Sequence, residues 1–191
     1  MADYSIISDV SNEIVKLIRE NLCPELIQSP ESIMLVSPTD KNADFLVGLY
    51  LYDIQELREY RQMDLIRVRG SKAKYPDKPL NLYFTIYINT KSQIMADSEN
   101  EQRIIGRILQ VLMDNTMLYN TVTEENEEVA SSLTFLTLSF EEKSKLWSGL
   151  NIPYQLALYF SVSPVLLSSR RVYNFARVLE AEYTTKRMDE H

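Results

Sequence analysis

Few residues of this chain could carry out catalysis, because the usual bases and nucleophiles are scarce. The only histidine is His191, the last residue of the sequence, and the only cysteine is Cys23. A histidine base, a catalytic triad or a zinc site therefore lacks the residues that it needs. Cys23 closes an apolar helical pattern and precedes a proline, which is typical of a small packed residue rather than a nucleophile. A single cysteine also excludes an internal disulfide and fits a reducing compartment.

Motifs for cofactors and metals are scarce as well. The chain has four glycines, and neither the GxxxxGK[ST] nor the GxGxxG phosphate-binding pattern occurs. The acidic run Glu124–Glu128 could hold a divalent cation, but a solvated loop is the simpler interpretation. The adjacent carboxylates of Glu141 and Glu142 lie where the start of a helix favours acids. We therefore predict no enzyme activity, no catalytic residue, no cofactor and no metal.

One candidate binding feature is a group of positive charges in a chain whose formal net charge is −7 at pH 7. This group, called here the basic patch, consists of Arg67, Arg69, Lys72, Lys74 and Lys78. It is either a solubilised sheet edge and loop or an electrostatic contact to an acidic partner protein. The overall negative charge argues against nucleic-acid binding, which requires a positive surface. No window reaches the ~20 apolar residues of a membrane helix, so we expect neither nucleic acid nor membrane as a partner.

A second candidate binding feature, called here the tyrosine face, is the aromatic and polar side of two predicted strands. It consists of Tyr83, Tyr87 and Tyr159 with Thr85, Ser161 and Ser163. Such a surface is either a half-exposed sheet face or a subunit interface, where tyrosine provides large contact area with a polar tip. The Tyr159 side of its strand, rather than the Leu158 side, is where we expect a neighbour.

Amphipathic helices must support these strands. The first helix has an apolar stripe of Val10, Ile14, Leu17, Ile18 and Leu22. Ser8 or Asp9 can cap its start, and Pro24 stops it. A second helix with an isoleucine-rich stripe is predicted over 98–113. A capping box at Ser139–Glu142 opens a third, shorter helix.

Several segments are predicted as strands, most of them from the alternation of their side chains, and Phe45–Ile54 as a central strand because it is apolar on both alternating faces. These are Ile33–Val36, Phe45–Ile54 with Leu65–Arg69 as its edge hairpin partner, Leu80–Asn89, Leu133–Leu138 and Leu156–Ser163, the last closed by Pro164. The segments Gly70–Pro79 and Asn115–Ser131 have the composition of loops, and Arg170–Tyr183 fits either a strand or a helix.

The order of these elements lacks a regular βαβ alternation. It favours an α+β fold in which two main helices pack on one face of a largely antiparallel mixed sheet. The length of 191 residues suggests one domain, predicted over 1–169, followed by a C-terminal segment over 170–191 that could form an arm with a frayed end.

Seven short blocks of the sequence occur in the order of a known family. The blocks are ADYSIISDVS (2–11), GLYLYDI (48–54), PLNLYF (79–84), IGRILQVLMDN (105–115), LSFEEKSKLW (138–147), PYQLAL (153–158) and VSPVLL (162–167). Together they resemble the tail-terminator, or tube-cap, proteins of phage-tail-like extracellular contractile injection systems of the antifeeding-prophage and virulence-cassette type. The chain departs from the family at Met113, where members often have histidine, and at Gln155, where they often have arginine.

The resemblance implies a structural subunit with a terminator-like fold. Such subunits form a ring, typically hexameric, that closes the distal end of the inner tube and contractile sheath. Its partners would be copies of itself and the tube and sheath proteins, and assembly would occur in the cytoplasm before release by lysis. Two alternatives stay open, namely a tail-completion or connector protein of a true phage, and an acidic protein-binding module or assembly chaperone.

Overall fold

The computed structural model describes residues 4–40, 44–58, 66–67, 72–89, 98–122 and 128–174. In chain order the elements are α1 (Ile6–Leu22), a 3-10 turn (Pro30–Ser32), β1 (Ile33–Leu35), β2 (Val47–Glu56), β3 (Ile66–Arg67), β4 (Lys72–Lys74), β5 (Lys78–Ile88), α2 (Ser98–Asp114), β6 (Met117–Val122), β7 (Glu128–Phe135), α3 (Phe140–Gly149), β8 (Ala157–Leu167) and β9 (Val172–Asn174). The described residues up to 58 and from 77 to 168 form one compact unit, and the others form a second.

The first unit is built on a six-stranded sheet in the order β1-β2-β5-β8-β7-β6. β1 runs parallel to β2, and the other neighbouring strands are antiparallel. α1 and α2 pack on one face of this sheet, where they share a single hydrophobic core with the strands. The predicted α+β class, with two main helices on a largely antiparallel mixed sheet, is confirmed.

The strand β5 lies near the centre of the sheet, and its side chains explain why. Leu82, Phe84, Ile86 and Ile88 are fully buried and point toward α1 and α2. Phe84 stacks on Phe160 of β8 with ring centroids 5.6 Å apart. Each buried aromatic or aliphatic side chain of this kind stabilises the fold by about 1.5–3 kcal/mol. The alternation predicted for Leu80–Asn89 is confirmed.

α1 begins earlier than its sequence pattern predicts. The N-cap is Ser5, so the predicted cap at Ser8 or Asp9 is wrong. The hydroxyl of Ser5 donates to Asp9 Oδ2 at 2.9 Å, which holds an acidic side chain in the first turn, where the helix dipole favours it. The helix ends at Leu22, ahead of Pro24, as predicted. Of the described helices, none has both the length and the apolar character needed to cross a membrane.

The predictions for Leu65–Arg69 and Gly70–Pro79 are wrong. β3 pairs with β4, not with β2, and β4 pairs in turn with β9. The segment predicted as a loop therefore contains β4 and the first residues of β5. Local sequence could not show this, because β4 alternates lysine with a single buried residue, Ala73, and its partner β9 lies about a hundred residues away.

The predicted loop Asn115–Ser131 is also wrong, because it contains β6 and the start of β7. These strands form an antiparallel pair with an irregularity between Tyr119 and Thr121. A polar composition misled the prediction, although Leu118 is buried against the core. Residues 123–127, which include most of the acidic run, lie outside the described residues.

Pro164 does not close β8, which continues to Leu167. The register between β5 and β8 shifts between Leu80 and Leu82, opposite Val165 and Val162. A proline is tolerated at such a bulge because it does not have to donate to the neighbouring strand. Of the ambiguous segment Arg170–Tyr183, Val172–Asn174 is the strand β9, and residues 175–183 lie outside the described residues.

The second unit contains a three-stranded sheet in the order β3-β4-β9. The rings of Tyr75 and Tyr173 meet edge to face with centroids 5.3 Å apart, and their hydroxyls are hydrogen-bonded at 3.0 Å. The sequence prediction assigned 1–169 to one domain and the remainder to an arm. In the structure, the described residues between 66 and 76 group instead with those from 169 onward.

Gly48→Ala should destabilise the fold, whereas Gly106→Ala should not. A Cβ at position 48 would lie 2.5 Å from Cζ of Tyr87, a buried ring held between Phe45 and Trp147. We expect Gly48→Ala to lower the free energy of unfolding by about 1–3 kcal/mol. Nothing lies within 4 Å of a Cβ at Gly106 in α2, where alanine should add up to about 1 kcal/mol. Equal unfolding free energies for the two variants in urea would contradict this packing.

Candidate functional site

The face of the sheet opposite α1 and α2 carries an aromatic cluster. Val36, Phe45, Tyr87 and Trp147 form a hydrophobic core of their own there. The Tyr87 ring contacts Phe45 edge to face at 5.8 Å, and its hydroxyl donates to the carbonyl of Val36 at 3.3 Å. Tyrosine suits this position because its body is apolar while its hydroxyl needs one polar partner.

α3 delivers Trp147 to this cluster. Its capping box is formed as predicted, since Glu142 N donates to Ser139 Oγ and Ser139 N donates to Glu142 Oε2. The hydroxyl and the amide of Ser139 together hold the pKa of Glu142 below its usual value. Of the residues of α3, all of them described, only Trp147 is buried. The helix is therefore fastened to the sheet mainly through one side chain.

Trp147 contacts two of the three tyrosines of the tyrosine face, Tyr87 and Tyr159. Its ring meets Tyr87 edge to face at 5.6 Å, and its Nε1 donates to the hydroxyl of Tyr159 at 2.8 Å. Tyr87 and Tyr159 are only 2% and 4% exposed, whereas Tyr83 is half-buried. The neighbour on the Tyr159 side is thus α3 of the same chain. Contact of the tyrosine face with a partner stays a prediction, and of its three tyrosines only Tyr83 keeps appreciable exposure in this chain.

Tyr52 extends the cluster toward solvent. It sits at the irregularity where the β2–β5 register shifts, and its ring lies 6.1 Å from that of Tyr83 and 6.4 Å from that of Tyr159. Burial raises the pKa of Tyr52 to about 12, and burial likewise raises the pKa values of Tyr87 and Tyr159. Tyr52 was not among the predicted contact residues, because nothing in the local sequence shows that the pairing of β2, β5 and β8 brings Tyr83 and Tyr159 against it.

A cavity of about 120 Å³ opens between α3 and this part of the sheet. Tyr50, Tyr52 and Thr85 line its sheet side, and Trp147 with Leu150 lines its helix side. At about 30 Å³ of liquid volume per water molecule, it has room for a few waters or one side chain, which is far below the roughly 300 Å³ of small-molecule sites. The geometry favours a contact with a protein side chain over a cofactor.

An exposed apolar surface adjoins the start of α3, and it is called here the apolar rim. It consists of Phe140, Tyr154 and Leu156, of which Phe140 is 71% exposed. The rings of Phe140 and Tyr154 lie 5.3 Å apart, so they form one continuous surface. Clustered exposed apolar side chains are typical of protein-interaction sites. The signal for this surface in the sequence was Phe140 itself, a phenylalanine at the first position of a capped helix that does not lie on the buried side of that helix.

The residues of the basic patch fall on two units. Lys78 begins β5 in the first unit and is exposed, whereas Arg67 lies on β3 and Lys72 and Lys74 lie on β4 in the second. Arg69 lies outside the described residues. Their contact with a partner stays a prediction.

Catalytic chemistry gains no support from the described geometry. Burial raises the pKa of Cys23, which disfavours the reactive thiolate. Across the described ranges, no group of three or more histidine, cysteine or carboxylate side chains is placed to hold a metal ion. His191 lies outside those ranges.

Comparisons with known proteins agree with this architecture. The model of the Pvc16 N-terminal domain family matches residues 9–181. A similar solved structure is the sheath/tube terminator of the PVC extracellular contractile injection system in its extended state, with a TM-score of 0.67 and 18% identity over 99% of this chain and 66% of that chain. Another is the tube-terminating cap of the anti-feeding prophage, with a TM-score of 0.62 and 16% identity over 92% of this chain and 60% of that chain. The chain thus spans less than two thirds of either terminator. No curated protein matches it significantly.

Tyr159→Phe should loosen α3 because it leaves Nε1 of the buried Trp147 without its acceptor. An unsatisfied buried donor costs about 1–3 kcal/mol of stability. Trp147 is the single tryptophan of the chain, so tryptophan fluorescence reports on this residue alone. Its emission should shift to the red in this variant, because loosening of α3 makes the buried ring more accessible to water. Tyr154→Phe on the exposed apolar rim is the matched control and should change stability by less than about 0.5 kcal/mol. An unchanged Trp147 emission in Tyr159→Phe would argue against this anchoring.

The raised pKa values of Tyr52, Tyr87 and Tyr159 predict a loss of stability in alkali. The folded state favours the neutral phenol, so this contribution is complete below the unfolded value of about 10. It declines as the pH rises from about 10 toward the folded pKa, which is about 12 for Tyr52. Tyrosinate absorbance near 295 nm should therefore include a late phase that coincides with unfolding by circular dichroism. Complete ionisation of all tyrosines in a still folded protein would contradict this prediction.

Proposed function

The chain belongs to the Pvc16 N-terminal domain family, and from this membership we propose that it is a structural cap subunit of a phage-tail-like injection particle. In this role it closes the distal end of the inner tube and the contractile sheath. The observation that carries the proposal is the shared fold. The structural match covers 99% of this chain against a sheath/tube terminator and 92% of this chain against a tube-terminating cap. The role is structural and requires no catalysis.

The surfaces of the chain suit an assembly subunit. A cap must bind the unpaired ends of a tube and a sheath, which requires exposed contact surface rather than a deep pocket. The apolar rim offers such a surface around Phe140. A specific contact buries roughly 800 Å² on each partner, so the apolar rim would form the centre of a larger interface.

The partners in this proposal are copies of the chain itself and the tube and sheath proteins. The copies form a ring, which we propose to be hexameric, because a closed ring can match the end of a tube without exposing a new binding end. Assembly takes place in the cytoplasm, and lysis releases the finished particle. Nucleic acid and membrane have no part in this role.

Deletion of the gene, followed by electron microscopy of the particles, tests the proposal. We expect tubes and sheaths of irregular length or separated from each other, and wild-type complementation should restore uniform particles. Uniform, intact particles in the deletion strain would overturn the cap role.

Complementation with Phe140→Ser then tests the apolar rim. This side chain is largely exposed, so its loss should leave the fold intact while reducing the fraction of capped particles several-fold. Met113→Ser, which alters another exposed apolar residue, is the matched control and should complement fully. Full complementation by both variants would exclude the apolar rim from the interface.

A further inference from the structure

Beyond the end of β1, the outer edge of β2 has no partner strand in the described part of the chain. β1 pairs with β2 only from Val47 to Leu49, and the last contact on this side is Val36 N donating to the carbonyl of Leu49 at 3.0 Å. From Tyr50 to Glu56, no strand among the described residues pairs with β2 on this side. An open edge presents free N–H and C=O groups, which can accept a strand from another chain.

The alternation of the backbone shows which groups face this open edge. Leu57 N donates to the carbonyl of Pro79 at 2.9 Å, so the backbone of Leu57 points toward β5. Successive residues of a strand alternate between the two sides, so Asp53 and Gln55 also point toward β5. Ile54 therefore directs its N–H and C=O outward. Its side chain is 44% exposed and adds an apolar contact to the same edge.

The outward N–H of Ile54 already has a partner within the chain. It donates to Oδ1 of Asp53 at 2.8 Å. The other oxygen of this carboxylate accepts from Nε2 of Gln55 at 2.7 Å, and Gln55 Oε1 accepts from the Tyr83 hydroxyl at 3.2 Å. Asn81 Nδ2 donates to the same hydroxyl at 2.9 Å. This polar network holds the Asp53 carboxylate over the edge from the neighbouring strand β5.

We propose that Asp53 guards the β2 edge against a second copy of this chain. An antiparallel pairing of two β2 edges centred on Ile54 would be self-complementary, because the N–H of each Ile54 would meet the C=O of the other around a two-fold axis. Asp53 occupies the donor at the centre of this pairing. Pairing would also bring two Asp53 carboxylates near the same axis, where like charges repel. The inference concerns the isolated chain and does not rest on the cap role.

Asp53→Ala frees the Ile54 N–H and should permit this pairing. In sedimentation velocity over a hundredfold range of concentration, the variant should form species of twice the wild-type mass, with self-association at least about tenfold tighter. At low concentration, the Ile54 amide should exchange its hydrogen about tenfold faster than in the wild type, because its acceptor is gone. Unchanged Trp147 emission would verify that the fold is intact.

Two further variants separate the edge from other causes. Glu56→Ala removes one negative charge from the same strand without removing the acceptor of Ile54, and it should sediment like the wild type. In Asp53→Ala/Ile54→Pro the edge donor no longer exists, so the added association should disappear. The proposal is overturned if Asp53→Ala sediments like the wild type, or if the double variant associates as strongly as Asp53→Ala. Unchanged exchange at the Ile54 amide in Asp53→Ala would overturn it independently of any association.

Discussion

The central strand β5 is buried on both of its faces, and most of the other elements of the first unit are placed by the need to cover it. From Leu82 to Ile88, only Tyr83 keeps appreciable exposure. α1 and α2 cover the aliphatic face, and α3 covers the aromatic face with Trp147. The packing on the two faces differs in kind. The aliphatic face packs in a broad hydrophobic core, whereas the packing of α3 on the aromatic face depends on one aromatic side chain and one buried hydrogen bond. Gly48 is part of the same packing, because its lack of a side chain leaves the space that the Tyr87 ring occupies.

With both faces of the central strand covered, the surfaces left for partners lie at the periphery. The apolar rim lies at the start of α3 and just before β8, and the open part of β2 lies at one edge of the sheet. The two surfaces have opposite character. The exposed side chain of Phe140 is apolar and has no hydrogen-bonding group to satisfy. Asp53, in contrast, already accepts the hydrogen bond of the Ile54 N–H, which an added strand would need at the edge. A subunit that ends a polymer has to bind on one side and offer nothing to bind on the other, and these two surfaces fit that requirement.

The sequence predicted those elements whose signal is local. The periodic stripes of α1 and α2, the capping box of α3 and the alternation of β5 were read correctly because burial repeats along each segment. β4 was missed because lysine dominates it and its partner β9 lies about a hundred residues away, whereas β6 was missed because it lies within a segment of largely polar composition. The tyrosine composition of the second face was recognised, but its covering by Trp147 was not, since α3 and β5 are distant in sequence. Asp53 and the bulge beside it carry no pattern that sequence alone could distinguish from an ordinary exposed acid.

The most direct measurement of the central claim is the position of the chain on an assembled particle. A gold label attached to a tag on this chain, viewed by electron microscopy on intact particles, reports that position without any change to the interface residues. The cap role predicts label at one end of each particle, at the distal end of the tube and sheath. Label distributed along the sheath, or absent from purified particles, would contradict it.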